Sequence, residues 1–348
     1  MKSAVFMGTK QVELVDIERP KIEKPTDALI KIVRACVCGS DLWRYRGIFE
    51  AKSGEPTSGH EAIGIIEEVG EDVKNFKAGD FVIVPFTHGC GHCVPCLAGF
   101  ENSCENADDA HGTFQAEFYR AINADGALVK IPGQPSDYTE EQLASLTTLS
   151  DVMPTGFHAA KQAGVKAGDT VVVFGDGAVG LCAVIGAKLL GAKRIIAMSR
   201  HEDRAALARE FGATDIVAER GEAAVKKLME MTNGSGADAV LECVGMKDSV
   251  ETAFQVARAG ANVSRVGLPN DVDYNKYLDK MFRKNIGLVG GIASVKRWDE
   301  EILLEKVLSG EINPGRVFTA AYSLDEIQQA YVDMDERKTI KSLIKVSD

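Results

Sequence analysis

Two textures of apolar residues follow one another along this chain. Up to residue 153, short β-branched runs such as ALIKIVRACVC, AIGIIEEVG and DFVIVPF are separated by Gly and Pro. Such runs read as strands of a β-rich unit. From residue 154 the apolar stretches alternate between strand and Ala-rich helix. They run DTVVVFG, AVGLCAVIGAKLLG, KRIIAMS, RAALAREFG, TDIVAE, AAVKKLMEMT, ADAVLECVG, SVETAFQVARA, ANVSRVG and NIGLVGG. Six strands with helices between them predict an α/β doubly wound parallel sheet. After residue 294 the rhythm breaks into a helix (EEILLEKVLSG), a second helical piece (LDEIQQAYVDMDE) and a strand-like end (KSLIKV). That tail is expected to return to the first domain. The expected domains are therefore 1–153 with 295–348, and 154–294 inserted between them.

Composition narrows the class of protein. The 348 residues are 45% hydrophobic and 26% charged, with a net charge of −11. A core of full size fits this length. The acidic balance argues against nucleic acid and anionic membrane surfaces, which demand clustered Lys and Arg. The opening MKSAVFMGTK is strand-like and lacks the apolar segment of a signal peptide, and no apolar run reaches membrane-spanning length. A cytoplasmic protein is expected.

Gly175, Gly177 and Gly180 form G-x-G-x-x-G directly after the apolar strand VVVF and at the start of a helical stretch. That context makes the motif a dinucleotide site: the glycines allow a tight turn, close approach of a pyrophosphate, and close helix–strand packing. An NAD site wants an acid about 20 residues further on, at the ribose 2′-hydroxyl. Here the strand RIIAM runs into Ser199, Arg200 and His201. A hydroxyl and a guanidinium suit a 2′-phosphate and a carboxylate would repel it, so NADP(H) is expected. The alternative is that Glu202 or Asp203 reaches the ribose while Arg200 is solvated.

Eight cysteines in a cytoplasmic chain read as metal ligands or buried thiols. Cys90, Cys93, Cys96 and Cys104 follow C-x2-C-x2-C-x7-C. Four thiolates so close suit a structural zinc with a closed shell, with an iron–sulfur cluster or a redox disulfide pair as alternatives. His92 lies inside the first spacing and reads as a bystander. Cys182 and Cys243 fall in apolar segments and read as core, as does Cys36. Three other pieces stand apart: Cys38 in VCGSD, His60 and Glu61 in GHEAIG, and Asp151 in SDVMPTG. Together they offer a thiolate, an imidazole and carboxylates, which can bind zinc and leave a coordination position open.

At this point the chain resembles the zinc-containing medium-chain dehydrogenase/reductase family, the alcohol dehydrogenase superfamily. The stretch GHEAIGIIEEVGEDV carries Gly59, His60, Glu61, Gly64 and Gly70 where the family has them, and the four-cysteine loop and nucleotide motif follow in the family's order. The resemblance spans essentially the whole chain. It implies a GroES-like catalytic domain, a Rossmann domain, an active site between them, and a homo-oligomer, dimer or tetramer. It implies that Cys38, His60 and Asp151 hold a catalytic zinc, with Asp151 standing where many members have Cys. Glu61 matches a residue that can swing onto the metal, Asp41 a carboxylate that accepts from the ligand His, and Ser40 a hydroxyl beside the substrate oxygen. Thr155, Val179, Gly267 and Lys341 match cofactor positions, with Lys341 reaching the phosphates.

The implied reaction is hydride exchange between a nicotinamide and a primary or secondary alcohol, or the corresponding aldehyde or ketone. One departure is Trp43, at a position where many members carry a proton-relay His. Indole cannot accept a proton, so the relay runs elsewhere or Trp43 walls the substrate pocket. Polyol dehydrogenation with NAD is a second reading, for which Arg44, Tyr45, Arg46 and His111 are candidate polar groups. A third is a silent NADPH-binding protein, which would be expected to lose the mixed ligands that this chain retains.

Overall fold

The β-branched runs of the first half form β1 (Lys2–Gly8), β2 (Gln11–Asp16), β3 (Ala28–Val37), β4 (Glu55–Pro56), β5 (Ala62–Val69), β6 (Phe81–Val84), β7 (Phe118–Ala121) and β8 (Val129–Ile131). The computed structural model describes residues 1–107, 112–268 and 272–347. The alternating stretch gives β9 (Thr170–Phe174), β10 (Arg194–Met198), β11 (Asp215–Val217), β12 (Ala237–Glu242), β13 (Ala257–Arg265) and β14 (Gly287–Gly290). The tail adds β15 (Phe318–Ser323) and β16 (Lys341–Lys345). The chain divides into two units, Met1–Asp151 with Ser294–Asp348, and Val152–Ala293.

In the first unit β3 is the central strand. Its sequence ALIKIVRACV is buried throughout except at Lys31, as expected of a strand covered on both faces. It pairs antiparallel with β5, β7 and β16, and β5 continues through β6 to β8. In the tail, β16 pairs with β3 and so joins this sheet. The strand β15 was not foreseen: FTAAYS has small residues at its centre and little hydrophobic contrast, so pairing with β16 defines it. The helix Ile327–Asp335 buries Ile327, Ala330, Tyr331 and Met334, one face at helical spacing. These residues join Phe6, Val12 and Tyr45 in one core.

The second unit is a six-stranded sheet in the order β11-β10-β9-β12-β13-β14, parallel at every pairing. The strand order reverses beside β9, so the carboxyl ends of β9 and β12 flank the crevice where α/β sheets take ligands. The alternation of strand and helix thus gives the predicted α/β doubly wound sheet. The helix read through SVETAFQVARA stops at Val256, and Ala257 already faces Ala237 in the sheet. Ala-Arg-Ala has no periodicity of its own, so its strand pairing decides.

The tail helix also departs from regularity. Asp299–Leu303 is a π-helical turn before the α-helix Leu304–Leu308. It carries Asp299, which is 1% exposed and whose carboxylate oxygens have no partner among the described residues. Burial pushes this carboxyl well above the usual range. The folded chain therefore keeps a proton that the unfolded chain loses, and stability falls as pH rises above the unfolded value towards the folded one. Asp299→Asn is expected to raise the unfolding midpoint by roughly 2–4 °C at pH 8 and to leave it unchanged at pH 4. Calorimetric scans at both pH values check this; an equal shift at both would remove ionisation as the cause.

Candidate active site

Strand register assembles the first cluster. Ala35 of β3 faces Ala62 of β5, and Val37 faces Ser342 of β16. Continuing those ladders by a residue or two brings Cys38, His60, Glu61 and Lys341 to one edge. Asp151 reaches the same place at the end of the first unit's opening segment. One ligand atom each from Cys38, His60, Glu61 and Asp151 lies within 4.8 Å of the others. Cys38 Sγ is 3.6 Å from Asp151 Oδ2, and His60 Nε2 is 3.4 Å from the same oxygen. Zinc bonds of about 2.0–2.3 Å give tetrahedral edges of roughly 3.3–3.8 Å, and both of these separations from Asp151 match such an edge.

His60 Nδ1 lies 2.7 Å from the Ser58 carbonyl, which fixes the proton on that nitrogen and turns Nε2 into the cluster. Asp41 sits behind the ring at 3.4 Å, and its other oxygen accepts from the Cys38 N–H at 2.9 Å. Gln115 braces this arrangement by donating to Asp41 and to the Cys36 carbonyl. Burial pulls the His60 imidazolium down, but the carboxylates of Asp41 behind the ring and Asp151 beside it outweigh it, and its pKa lies well above normal. Burial pushes the Cys38 thiol up. Both donors hold protons that a metal must displace, so metal affinity rises with pH.

Lys341 corrects one expectation. Its ammonium is fully buried, donates to Glu61 Oε1 at 2.6 Å and to the Val37 carbonyl at 3.2 Å, and faces the Phe318 ring. Burial pulls it down, yet the Glu61 carboxylate bonded to it holds its pKa well above normal. With no exposed surface it has nothing to offer a cofactor phosphate; its partner is Glu61. The other oxygen of Glu61 has no partner among the described residues, which leaves that lone pair for an ion.

Around this cluster, Ser40 is half-buried at the start of the helix Asp41–Tyr45. Trp43 stacks on Phe49 with ring centroids 5.5 Å apart. The polyol candidates do not gather there. Tyr45 is buried in the core against Tyr331, Arg46 pairs with Asp335 at 2.6 Å, and Arg44 faces Glu55. His111 lies outside the described residues.

The four cysteines form a second cluster, with all sulfurs within 4.8 Å. Cys93 and Cys104 are 3.8 Å apart, too far for a disulfide and matched to the edge of a zinc–thiolate tetrahedron. So compact a set suits one ion better than a cluster whose irons each take a thiolate. Backbone N–H groups of Cys90 and Asn106 point at the Cys104 sulfur, as around metal-bound thiolates. Burial raises Cys90, but the Asn106 amide and neighbouring N–H groups bring it down to about 6. Burial pushes Cys96 up to about 12. His92 turns to the Cys90 carbonyl.

In the second unit Gly175 has φ +111°, and a Cβ on Gly180 would come 2.0 Å from the Gly175 carbonyl. A Cβ on Gly177 would meet nothing within 4 Å, so open space lies before the uncapped start of the helix Ala178–Leu189. Free N–H groups and a positive dipole end facing that space fit a pyrophosphate. Val179 is half-buried in the first turn. Thr155 is buried on the helix Val152–Gln162, which packs on the nucleotide helix through Gly156. A Cβ on Gly267 would come 2.2 Å from the Gly245 nitrogen, so two strand-end loops close on each other. Glu242 clamps the nearer loop by accepting from Val244, Gly245 and Ser249.

At the end of β10, Ser199 is 2% exposed and Arg200 is exposed. Sequence reasoning passed over their neighbour Asp176. Its carboxylate accepts from the Ser199 hydroxyl at 2.8 Å and lies 3.5 Å from Arg204. The signal was an acid at the centre of G-x-G, where the turn aims a side chain at the next strand end.

A family model described as "Alcohol dehydrogenase GroES-like domain" matches residues 24–133, and one described as "Zinc-binding dehydrogenase" matches 178–306. An uncharacterised zinc-type alcohol dehydrogenase-like protein of Bacillus subtilis (strain 168) is 33% identical, with 97% of each chain covered. This chain belongs to the zinc-type alcohol dehydrogenases. The NADP-dependent isopropanol dehydrogenase of Clostridium beijerinckii is 30% identical over 99% of each chain. The alcohol dehydrogenase TADH from Thermus sp. ATN1 superimposes with a TM-score of 0.89, 31% identity and complete coverage of both chains.

In this zinc-type alcohol dehydrogenase, removing Lys341 strands a buried carboxylate. Lys341→Met is expected to cost about 3–5 kcal/mol, and Lys341→Met/Glu61→Gln to recover most of it. Urea unfolding of both variants checks this.

Proposed function

We propose that the protein exchanges hydride between NADP(H) and a small primary or secondary alcohol, or the corresponding aldehyde or ketone. The observation that carries this reading is the mixed donor set Cys38, His60 and Asp151, spaced for one zinc, with Glu61 beside it. When bound, zinc would supply Lewis acidity at the substrate oxygen, and the nicotinamide would carry the hydride. The chain's own residues would do the rest. Asp41 and Ser58 hold the His60 ring so that Nε2 faces inward. Ser40 offers a hydroxyl to take the substrate proton. Trp43 stacked on Phe49 presents an apolar surface, and the engagement of Tyr45 and Arg46 elsewhere favours simple alcohols over polyols. Cys90, Cys93, Cys96 and Cys104 would hold a second, structural zinc.

For the cofactor, Gly175, Gly177, Val179 and Gly180 would cradle the pyrophosphate, with Thr155 and Gly267 beside the nicotinamide half. Arg200, exposed at the strand end where an NAD site has an acid, supports NADP(H), with Ser199 beside it bonded to Asp176. The isopropanol dehydrogenase named above is described as NADP-dependent.

The deciding experiment is kcat/KM for a panel of alcohols, polyols, aldehydes and ketones with both cofactors; a polyol optimum with NAD would overturn the reading. Elemental analysis is expected to find about two zinc ions per subunit. Asp151→Ala should lose one of them together with activity and keep the other. Full activity in that variant would remove Asp151 from the ligand set.

A further inference from the structure

The end of β10 lacks an acid, but the space beside it does not lack a carboxylate. Asp176 leaves the turn after β9 and reaches the Ser199 hydroxyl at 2.8 Å. An Arg204 guanidinium nitrogen lies 3.5 Å from its other oxygen and 3.3 Å from its carbonyl. Arg220, at the end of the β11 segment, bonds the carbonyls of Ala218 and Glu219 and feels both Asp176 and Arg200. The ends of β9, β10 and β11, with Arg204 from the helix Glu202–Phe211 that follows β10, therefore present one carboxylate among three guanidinium groups, beside the open space at Gly177.

We propose that Asp176 supplies, from the turn of the first strand, the carboxylate that reads the adenosine 2′-position, so that this chain binds a ribose diol as well as a 2′-phosphate. A free diol donates to Asp176, whose Oδ2 accepts from Ser199 and whose Oδ1, 3.5 Å from Arg204, has lone pairs for a further donor. A 2′-phosphate is met by Arg200 and Arg220, while Arg204 neutralises the carboxylate that would otherwise repel it. This inference rests on the placement of NADP(H) at these strand ends and sets a limit on its selectivity: cost and gain coexist in one pocket, so preference between the cofactors is modest. Asp176 and Arg204 are then specificity-determining, whereas Ser199 positions Asp176.

The test is direct binding by titration calorimetry of NADPH, NADH, adenosine 2′,5′-bisphosphate and AMP to the zinc-loaded protein. Asp176→Asn keeps shape and removes charge. It is expected to tighten NADPH and weaken NADH, moving their ratio by about five- to tenfold, with the two adenosine fragments following the same order. Arg204→Gln, which leaves the carboxylate uncompensated, should move the ratio the other way. Unfolding midpoints of the variants, compared with wild type, show that each is folded. If Asp176→Asn leaves both dissociation constants unchanged, the inference falls, whichever cofactor the wild type takes. If the wild type ignores the 2′-phosphate and Arg200→Ala changes nothing, the NADP(H) reading falls. A weakening of NADH by Asp176→Asn would still support the role of its carboxylate.

Discussion

The antiparallel ladders that β3 makes with β5 and β16 are the constraint on which the metal cluster depends. Each ladder fixes which residues emerge together at its end. Because Ala35 faces Ala62 and Val37 faces Ser342, Cys38, His60, Glu61 and Lys341 must meet. A slip of one residue would turn every side chain of the strand to the opposite face. The near-continuous burial of β3 forbids that slip, since its Lys31 would have to trade places with a core residue. Ligand spacing is thus enforced by hydrophobic packing well away from the ligands.

The same edge gathers charge that the core must tolerate. Lys341 and Glu61 are buried and bonded to one another, with Cys36 and Cys38 close by. Neither charge could remain there alone, because desolvation of an unpaired ion costs far more than the pair returns. A bond between residues 280 positions apart therefore ties the tail strand to the ligand loop. The four-cysteine loop solves a different problem. It has few buried side chains of its own, and its thiols are placed by short-range turns and N–H contacts within the loop. It would hold its shape through a metal as the rest of the unit holds its shape through a core.

In the second unit, charge at the strand ends is arranged across three segments. Glu242 shows how a buried carboxylate can act purely as a clamp, its oxygens consumed by local N–H and O–H donors. Asp176 differs because it is only partly buried and keeps acceptor capacity. The contrast separates a carboxylate that shapes a loop from one that faces a ligand site.

Much of this was legible from residues alone. Strand–helix alternation predicted the doubly wound sheet, because each segment's hydrophobic period is a local property. The cysteine spacing and G-x-G-x-x-G were legible for the same reason: their ligands and turns lie within a few residues. The tertiary structure decided what no local pattern contains. Lys341 matched a phosphate contact by position, yet register seats it against Glu61. Tyr45 and Arg46 looked like pocket groups, yet helix packing gives one to the core and the other to Asp335. Asp176 was an unremarked letter between two glycines until β10 was placed beside β9. Local sequence sets which side chains and turns exist; only pairing between distant strands sets which charges they face.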